Sequence, residues 1–150
     1  MNFYQRINHW ARLWMSRSYY YLGTTYRHIG NTYALTAAHE KAIDYFSQAV
    51  KWDANFARAY LERGILYWRE LDHPRRALQD LSLALTIDPT LHAVYFNRGI
   101  AHQQLREYAE AITEFQTYLA VGTHPHWREH AANMIRELNE WIQSPDSTAP

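Results

Sequence analysis

The sequence predicts an all-α protein, built as a solenoid of stacked helix–turn–helix repeats. Three observations lead there. The tripeptide Arg-Gly-Ile occurs twice, 35 residues apart, in LERGILYWRE and FNRGIAHQQL. Glycines at Gly30, Gly64 and Gly99 recur at intervals of 34 and 35 inside strongly helical patterns. Twelve or thirteen residues after each glycine, an Ala (Ala42, Ala77, Ala111) opens a second helical segment. A fixed period of this length is the signature of a repeat that buries its apolar face only against copies of itself.

Residues 1–22 read as a separate amphipathic extension. Phe3, Ile7, Trp10 and Trp14 share one helical stripe, while Arg6, His9, Arg12 and Ser16 occupy much of the remaining surface. Residues 1–39 carry Arg6, Arg12, Arg17 and Arg27 but no Asp or Glu. The other 11 Lys/Arg and all 15 acids lie beyond. Such a segment can cap the first repeat, because a solenoid must shield its ends. It can also lie on an anionic membrane surface, where Trp and Arg on opposed faces are the required composition. An organelle-targeting segment is a third reading, although no cleavage signal clearly follows.

Three repeats occupy residues 23–56, 57–91 and 92–125, with helices expected near 23–36 and 39–52, 55–70 and 74–87, 91–105 and 108–121. Each first helix carries aromatics around its glycine: Tyr26 and Tyr33, Tyr60 and Tyr67, Tyr95 with His102. The tyrosines are expected in the core, each hydroxyl reaching a partner or water. Each second helix sets a large apolar residue four after its Ala (Phe46, Leu81, Phe115), then Ala49, Ala84 or, exceptionally, Tyr118 three later. That spacing keeps each set on one face. A glycine costs a helix roughly 1 kcal/mol. Close approach of two helices, as between Gly64 and Ala77, is expected to offset it.

At Tyr60, Gly64, Tyr67, Ala77, Leu81, Ala84 and Pro89 the chain resembles the tetratricopeptide repeat family, whose pattern is Trp-x2-Leu-Gly-x2-Tyr, then Ala-x3-Phe, then Pro. The middle repeat has one extra residue in RELDHPRRA. The first has Ala54 in place of the Pro, and the third has Thr123, with Pro125 slightly late. The resemblance covers about residues 23–125 and implies a right-handed α-solenoid of three such repeats with extra helices at both ends. A capping helix follows at 126–143, with Trp127, Ala131, Met134, Leu138 and Trp141 at helical spacing and Arg128, Glu129, Arg136, Glu137 and Glu140 suited to a polar outer face. Residues 144–150 read as a disordered polar tail.

The first helix of the middle repeat is apolar over more than its packing face. Arg58, Leu61, Ile65 and Trp68 form a second stripe, matched by Ala93, Phe96, Ile100 and Gln103, and by Thr24, Arg27, Asn31 and Ala34. The resemblance implies that this stripe lines a concave groove that binds peptides. A helical or extended partner segment would then be held by Leu61, Ile65, Trp68, Phe96 and Ile100. Arg27, Asn31, Arg58, Glu62, Arg69 and Asn97 would set orientation and selectivity. The opposing reading is that these apolar residues complete the core or meet the seventh helix. Some family members clamp acidic chaperone tails with a cation and an Asn in the first repeat, an Asn in the second and two cations in the third. Arg27 and Asn31 fit, but Glu62, Ala93 and Asn97 do not, and Glu62 would repel a carboxylate. The expected partner is therefore another protein or peptide, with self-association left open.

Other classes find little support. Lys+Arg and Asp+Glu balance at 15 each, which argues against a specific nucleic-acid partner. With no Cys there is neither a disulfide framework nor a thiolate metal site. His126-Trp127-Arg128-Glu129-His130 matches the inverted zinc-protease motif H-x-x-E-H. A catalytic zinc needs a third protein ligand, and the remaining acids, Glu137 and Glu140, share the same short helix. No phosphate loop or nucleophile elbow is present, so no enzyme activity, metal or cofactor is expected. No stretch reaches the length of a membrane span and no signal peptide is legible, so cytoplasmic residence is the expectation.

Overall fold

The computed structural model describes the backbone of residues 3–143 and the side chains of residues 7–143. The tail at 144–150 lies outside the described residues. Seven α-helices follow in order: α1 Phe3–Tyr33, α2 Thr36–Trp52, α3 Ala57–Arg69, α4 Pro74–Ile87, α5 Ala93–Gln104, α6 Tyr108–Val121 and α7 Pro125–Gln143. Helices α1 and α2, α3 and α4, and α5 and α6 pack as hairpins; α2 also packs on α3, and α7 on α6. The all-α repeat class is the one observed. Two compact units divide between Pro89 and Thr90, two residues before the repeat boundary that the period suggests.

In the unit comprising α1 to α4, Ala42, Phe46, Ala49, Ala77, Leu81 and Ala84 are fully buried. These are the positions that the Ala-x3-Phe spacing selects. In the unit comprising α5 to α7, Ala111 and Phe115 are fully buried and Tyr118 nearly so. Tyr118 fits where its counterparts are Ala because Gly122 lies under its ring; a Cβ there would come within 2.5 Å of Tyr118 Cε2. On α7, Ala131 and Leu138 are buried while Arg128, Glu129, Arg136, Glu137 and Glu140 are exposed.

Each hairpin turns on one non-glycine residue in the left-handed region: Ala34 (φ 52°), Asp72 (φ 50°) and Arg106 (φ 61°). After two of them, the next backbone N–H donates to a carbonyl five residues back, Leu35 to Gly30 (3.1 Å) and Glu107 to His102 (3.0 Å). This satisfies an orphan carbonyl of the preceding helix, as in a Schellman cap. In the middle hairpin the His73 N–H reaches Tyr67, six residues back, at 2.8 Å. The extra residue of RELDHPRRA is absorbed there.

The first hairpin departs from the expected register. A Cβ on Gly64 would approach Leu81 Cγ at 3.0 Å, and one on Gly99 would meet the Phe115 ring at 2.6 Å. The 34-residue interval would place Gly30 against Phe46. Instead, Gly23 faces Phe46, where a Cβ would lie 2.7 Å from the ring, and Gly30 faces the His39 imidazole. The α1–α2 turn sits at Ala34, about one helical turn before the expected position. Gly23 precedes Ala42 by 19 residues, against 13 from Gly64 to Ala77 and 12 from Gly99 to Ala111. The surplus of about seven residues lengthens both helices of this hairpin by one turn. Tyr19-x2-Leu22-Gly23-x2-Tyr26, rather than the surroundings of Gly30, carries the first-helix pattern.

Two further expectations are corrected with it. Of residues 1–22, those from 3 onward are not a separate element, since α1 runs unbroken through position 22; residues 1 and 2 lie outside the described residues. The described part of its apolar stripe does not shield the first repeat either, for Ile7, Trp10 and Trp14 are exposed; the Phe3 side chain lies outside the described residues. The packed side carries Ser16, whose buried hydroxyl donates to the Ala49 carbonyl at 2.9 Å. It also carries Tyr20, whose ring lies 5.7 Å from Phe46 and 4.9 Å from Phe56. Tyr33, expected in the core, is exposed because the turn comes early, while Tyr26, Tyr60, Tyr67 and Tyr95 are half-buried.

Candidate protein-interaction surface

On α3 the stripe Leu61, Ile65 and Trp68 is half-buried, with Arg58 exposed one turn before Leu61. Other positions of α3 are committed to the core, with Ala57, Ala59, Gly64 and Leu66 buried. The helix therefore spends one apolar face on packing and leaves a second partly open to solvent.

The polar candidates of this unit bond mainly among themselves. Arg27 Nη1 lies 3.2 Å from Glu62 Oε2. The approach is within ion-pair range but off hydrogen-bond geometry, for Arg27 Nε and Glu62 Oε2 are both buried without a hydrogen-bond partner. Asn31 Oδ1 accepts from Arg69 Nη2 at 3.0 Å and lies 3.0 Å from His39 Nε2. Glu70 closes the cluster, 2.6 Å from Arg69 Nε and 3.3 Å from His39 Nδ1. These bonds tie α1, α2 and α3 together. Arg27, Asn31, Glu62 and Arg69 are partnered within the chain.

Burial pushes the Glu62 carboxyl above the usual carboxylate range, with Arg27, then Arg69 and Arg58, pulling it back. Glu114 is raised by burial in the same way, offset by Arg98 and His102. An acid whose folded pKa exceeds its unfolded one binds more protons when folded. Stability from these groups is present at low pH and is lost as pH rises from the ordinary carboxylate range through the raised value. Glu62→Gln should therefore be neutral or stabilising at pH 7, and should flatten the decline of stability above the ordinary carboxylate range. Denaturant melts over about pH 4 to 8 check this. A neutral-pH loss well beyond the roughly 1 kcal/mol of an exposed pair would make the Arg27 contact a net stabiliser.

In the α5–α7 unit the candidate residues fare differently. Phe96 is only 7% exposed. Its ring lies 5.0 Å from Trp127, 5.4 Å from His130 and 5.5 Å from Phe115. Phe96 is thus a core residue covered by α7, not a groove anchor, because the aromatic start of α7 packs onto that face of α5. Ile100 is partly buried against the same cluster. Asn97 is half-buried and donates from Nδ2 to the Ala93 carbonyl at 2.8 Å. The H-x-x-E-H segment lies at the start of α7. His126 and His130 are 6.4 Å apart, ring to ring, and Arg128 Nη1 donates to the carbonyls of Leu119 and Gly122. Among the described residues no three His, Asp or Glu are grouped to hold a metal ion. No described helix is long and apolar enough to cross a membrane.

Comparison with known proteins agrees with this geometry. One tetratricopeptide repeat family model matches residues 67–138 and a second matches residues 16–56. The chain belongs to the tetratricopeptide repeat family. The Hsp70-Hsp90 organizing protein 3 of Arabidopsis thaliana is 27% identical over 90 residues, which are 60% of this chain and 16% of the length of that relative. Among solved structures, the Arabidopsis OM64 TPR domain superposes with a TM-score of 0.72 at 24% identity, covering 84% of this chain and 98% of that domain. The first TPR of Spaghetti (RPAP3), bound to the HSP90 peptide SRMEEVD, superposes with a TM-score of 0.68 at 22% identity, covering 83% of this chain and 96% of that one. The match beginning at residue 16 places the first repeat earlier than residue 23. It agrees with Gly23, not Gly30, as the packing glycine.

That register has a consequence for the acidic-tail clamp. Moving the first repeat by seven residues transfers the positions assigned to Arg27 and Asn31 onto Tyr20 and Thr24. Neither is cationic, and Tyr20 is packed on Phe46 and Phe56. The pair that fitted the clamp pattern no longer does.

Proposed function

We propose that this chain is a non-catalytic protein-interaction module that binds a segment of a partner protein over the Leu61–Ile65–Trp68 stripe of α3. What supports this reading is a second apolar stripe on α3, half-buried rather than sealed in the core, in a tetratricopeptide repeat protein. Apolar anchors spaced 61, 65 and 68 suit the apolar face of a partner helix. Arg58 supplies a cation at the rim, where charge tunes encounter and register. Phe96, Ile100 and Asn97 have structural roles in this reading.

An acidic C-terminal tail is not the segment proposed. Glu62 would repel it, Arg27 already faces Glu62, and Ala93 and Asn97 stand where two cations are needed. A soluble, cytoplasmic setting fits such a module. A photocrosslinking amino acid in place of Ile65 should capture a defined protein from an extract of the native host. The same probe at Gln79, on the exposed face of α4, should not. Identical adducts from both positions, or adducts from neither, would count against the assignment.

A further inference from the structure

We infer that α1 carries a second, independent docking surface, and that its occupant is an anionic membrane surface. Trp10, Trp14 and Tyr21 are 61%, 74% and 66% exposed. With Arg17 and Ser18 they line one open cleft of about 350 Å³ along one side of α1. Helical spacing places residues 10, 14, 17, 18 and 21 on a common face. The packing side is the other one, through Ser16, Tyr20 and Gly23. Tyr21 touches the Tyr20 ring at its edge, 5.8 Å between centroids, and otherwise this face is turned away from the helix pairing. Three large rings at this exposure cost solubility, which a purely structural surface would not retain.

Charge selects the occupant. Residues 1–39 hold four arginines and no acid. Arg27 is spent on Glu62 and the Arg12 side chain reaches the Trp52 carbonyl at 3.4 Å. Arg17 is exposed on the same face as the aromatics, not on the opposed face that the sequence pattern suggested, and its long side chain can carry the guanidinium out to the headgroup level. A second copy of this chain would set Arg17 against another acid-free face, so like charges disfavour a homodimer here. An anionic lipid surface complements the cation, and Trp and Tyr are the side chains that settle at the headgroup boundary. Each basic residue near such a surface adds about a factor of five in binding. The surface is interfacial: α1 lies on the bilayer and does not cross it.

The test is co-sedimentation of the full chain with vesicles of phosphatidylcholine alone or with about one-third phosphatidylserine. Binding is expected to the anionic vesicles only, and to weaken as salt rises. Trp10→Ala with Trp14→Ala should abolish it. Arg17→Glu, which reverses one charge, should reduce it by about thirtyfold. All these side chains are exposed, so unchanged circular dichroism and melting are expected of every variant and make the comparison valid. No binding, equal binding to neutral vesicles, or binding indifferent to these substitutions would overturn the inference. So would a dimer in sedimentation equilibrium that Trp14→Arg dissociates, because the face would then be a protein contact. Loss of photocrosslinking at Ile65 bears on the α3 surface alone and leaves this one standing.

Discussion

Asp80→Ala should be among the most damaging single substitutions, lowering stability by about 3–5 kcal/mol. Asp80 is buried on α4 and accepts two bonds from the Arg63 guanidinium, at 2.7 Å from Nε and 2.8 Å from Nη2. Arg63 also donates to the Ser47 hydroxyl of α2 at 2.9 Å, and its guanidinium lies 5.5 Å over the Tyr60 ring. Removing the carboxylate leaves a largely enclosed cation without its bidentate partner. For a protein of this size, a loss of 3–5 kcal/mol corresponds to a melting temperature lower by about 6–20 °C. Joint replacement, Arg63→Met with Asp80→Leu, should recover most of it, since a buried pair is often matched by apolar residues of similar volume. A thermal melt of Asp80→Ala within a degree of wild type would show that the pair is solvated. The third repeat places Arg98 and Glu114 comparably, 2.7 Å apart, although Arg98 Nε and Glu114 Oε2 lack hydrogen-bond partners.

Gly23→Leu should destabilise the first hairpin by about 1–3 kcal/mol or more, because an isobutyl group would have to displace the fully buried Phe46 ring. The substitution discriminates between two registers. If Gly30 were the glycine opposed to Phe46, the turn would centre near residue 38 and position 23 would face the end of α2, where a leucine is harmless. A denaturant midpoint unchanged for Gly23→Leu would restore that register and, with it, the alignment of Arg27 and Asn31 with the clamp positions.

The fold was legible because its determinants are local and repeated. Ala42, Ala77 and Ala111, each followed four residues on by Phe46, Leu81 or Phe115, announce one buried face per second helix, and all six are fully buried. The first hairpin misled for a definite reason. An insertion of about seven residues is two helical turns, so it preserves the phase of both helices and leaves Gly30 in apparent register with Gly64. The signal that breaks the tie is LGTTY at 22–26, which the 19-residue interval to Ala42 obscures. Phe96 could be read from the sequence as a groove anchor or as a residue meeting the seventh helix, because helical spacing locates a face without saying what covers it; the second reading is the one observed. Its cover comes from Trp127 and His130, which lie on another helix. Likewise, Phe3, Ile7, Trp10 and Trp14 mark an apolar stripe, but the small residues Ser16 and Gly23 decide which side of α1 packs.

We propose that recognition rests on the apolar stripe of α3 and not on an acidic-tail clamp. This is tested most directly by calorimetric titration with SRMEEVD, the HSP90 peptide bound by the Spaghetti (RPAP3) domain. No saturable binding is expected up to about millimolar peptide, a standard free energy weaker than roughly −4 kcal/mol. Binding in the micromolar range that Arg27→Ala abolishes, while Trp68→Ala leaves it intact, would contradict it.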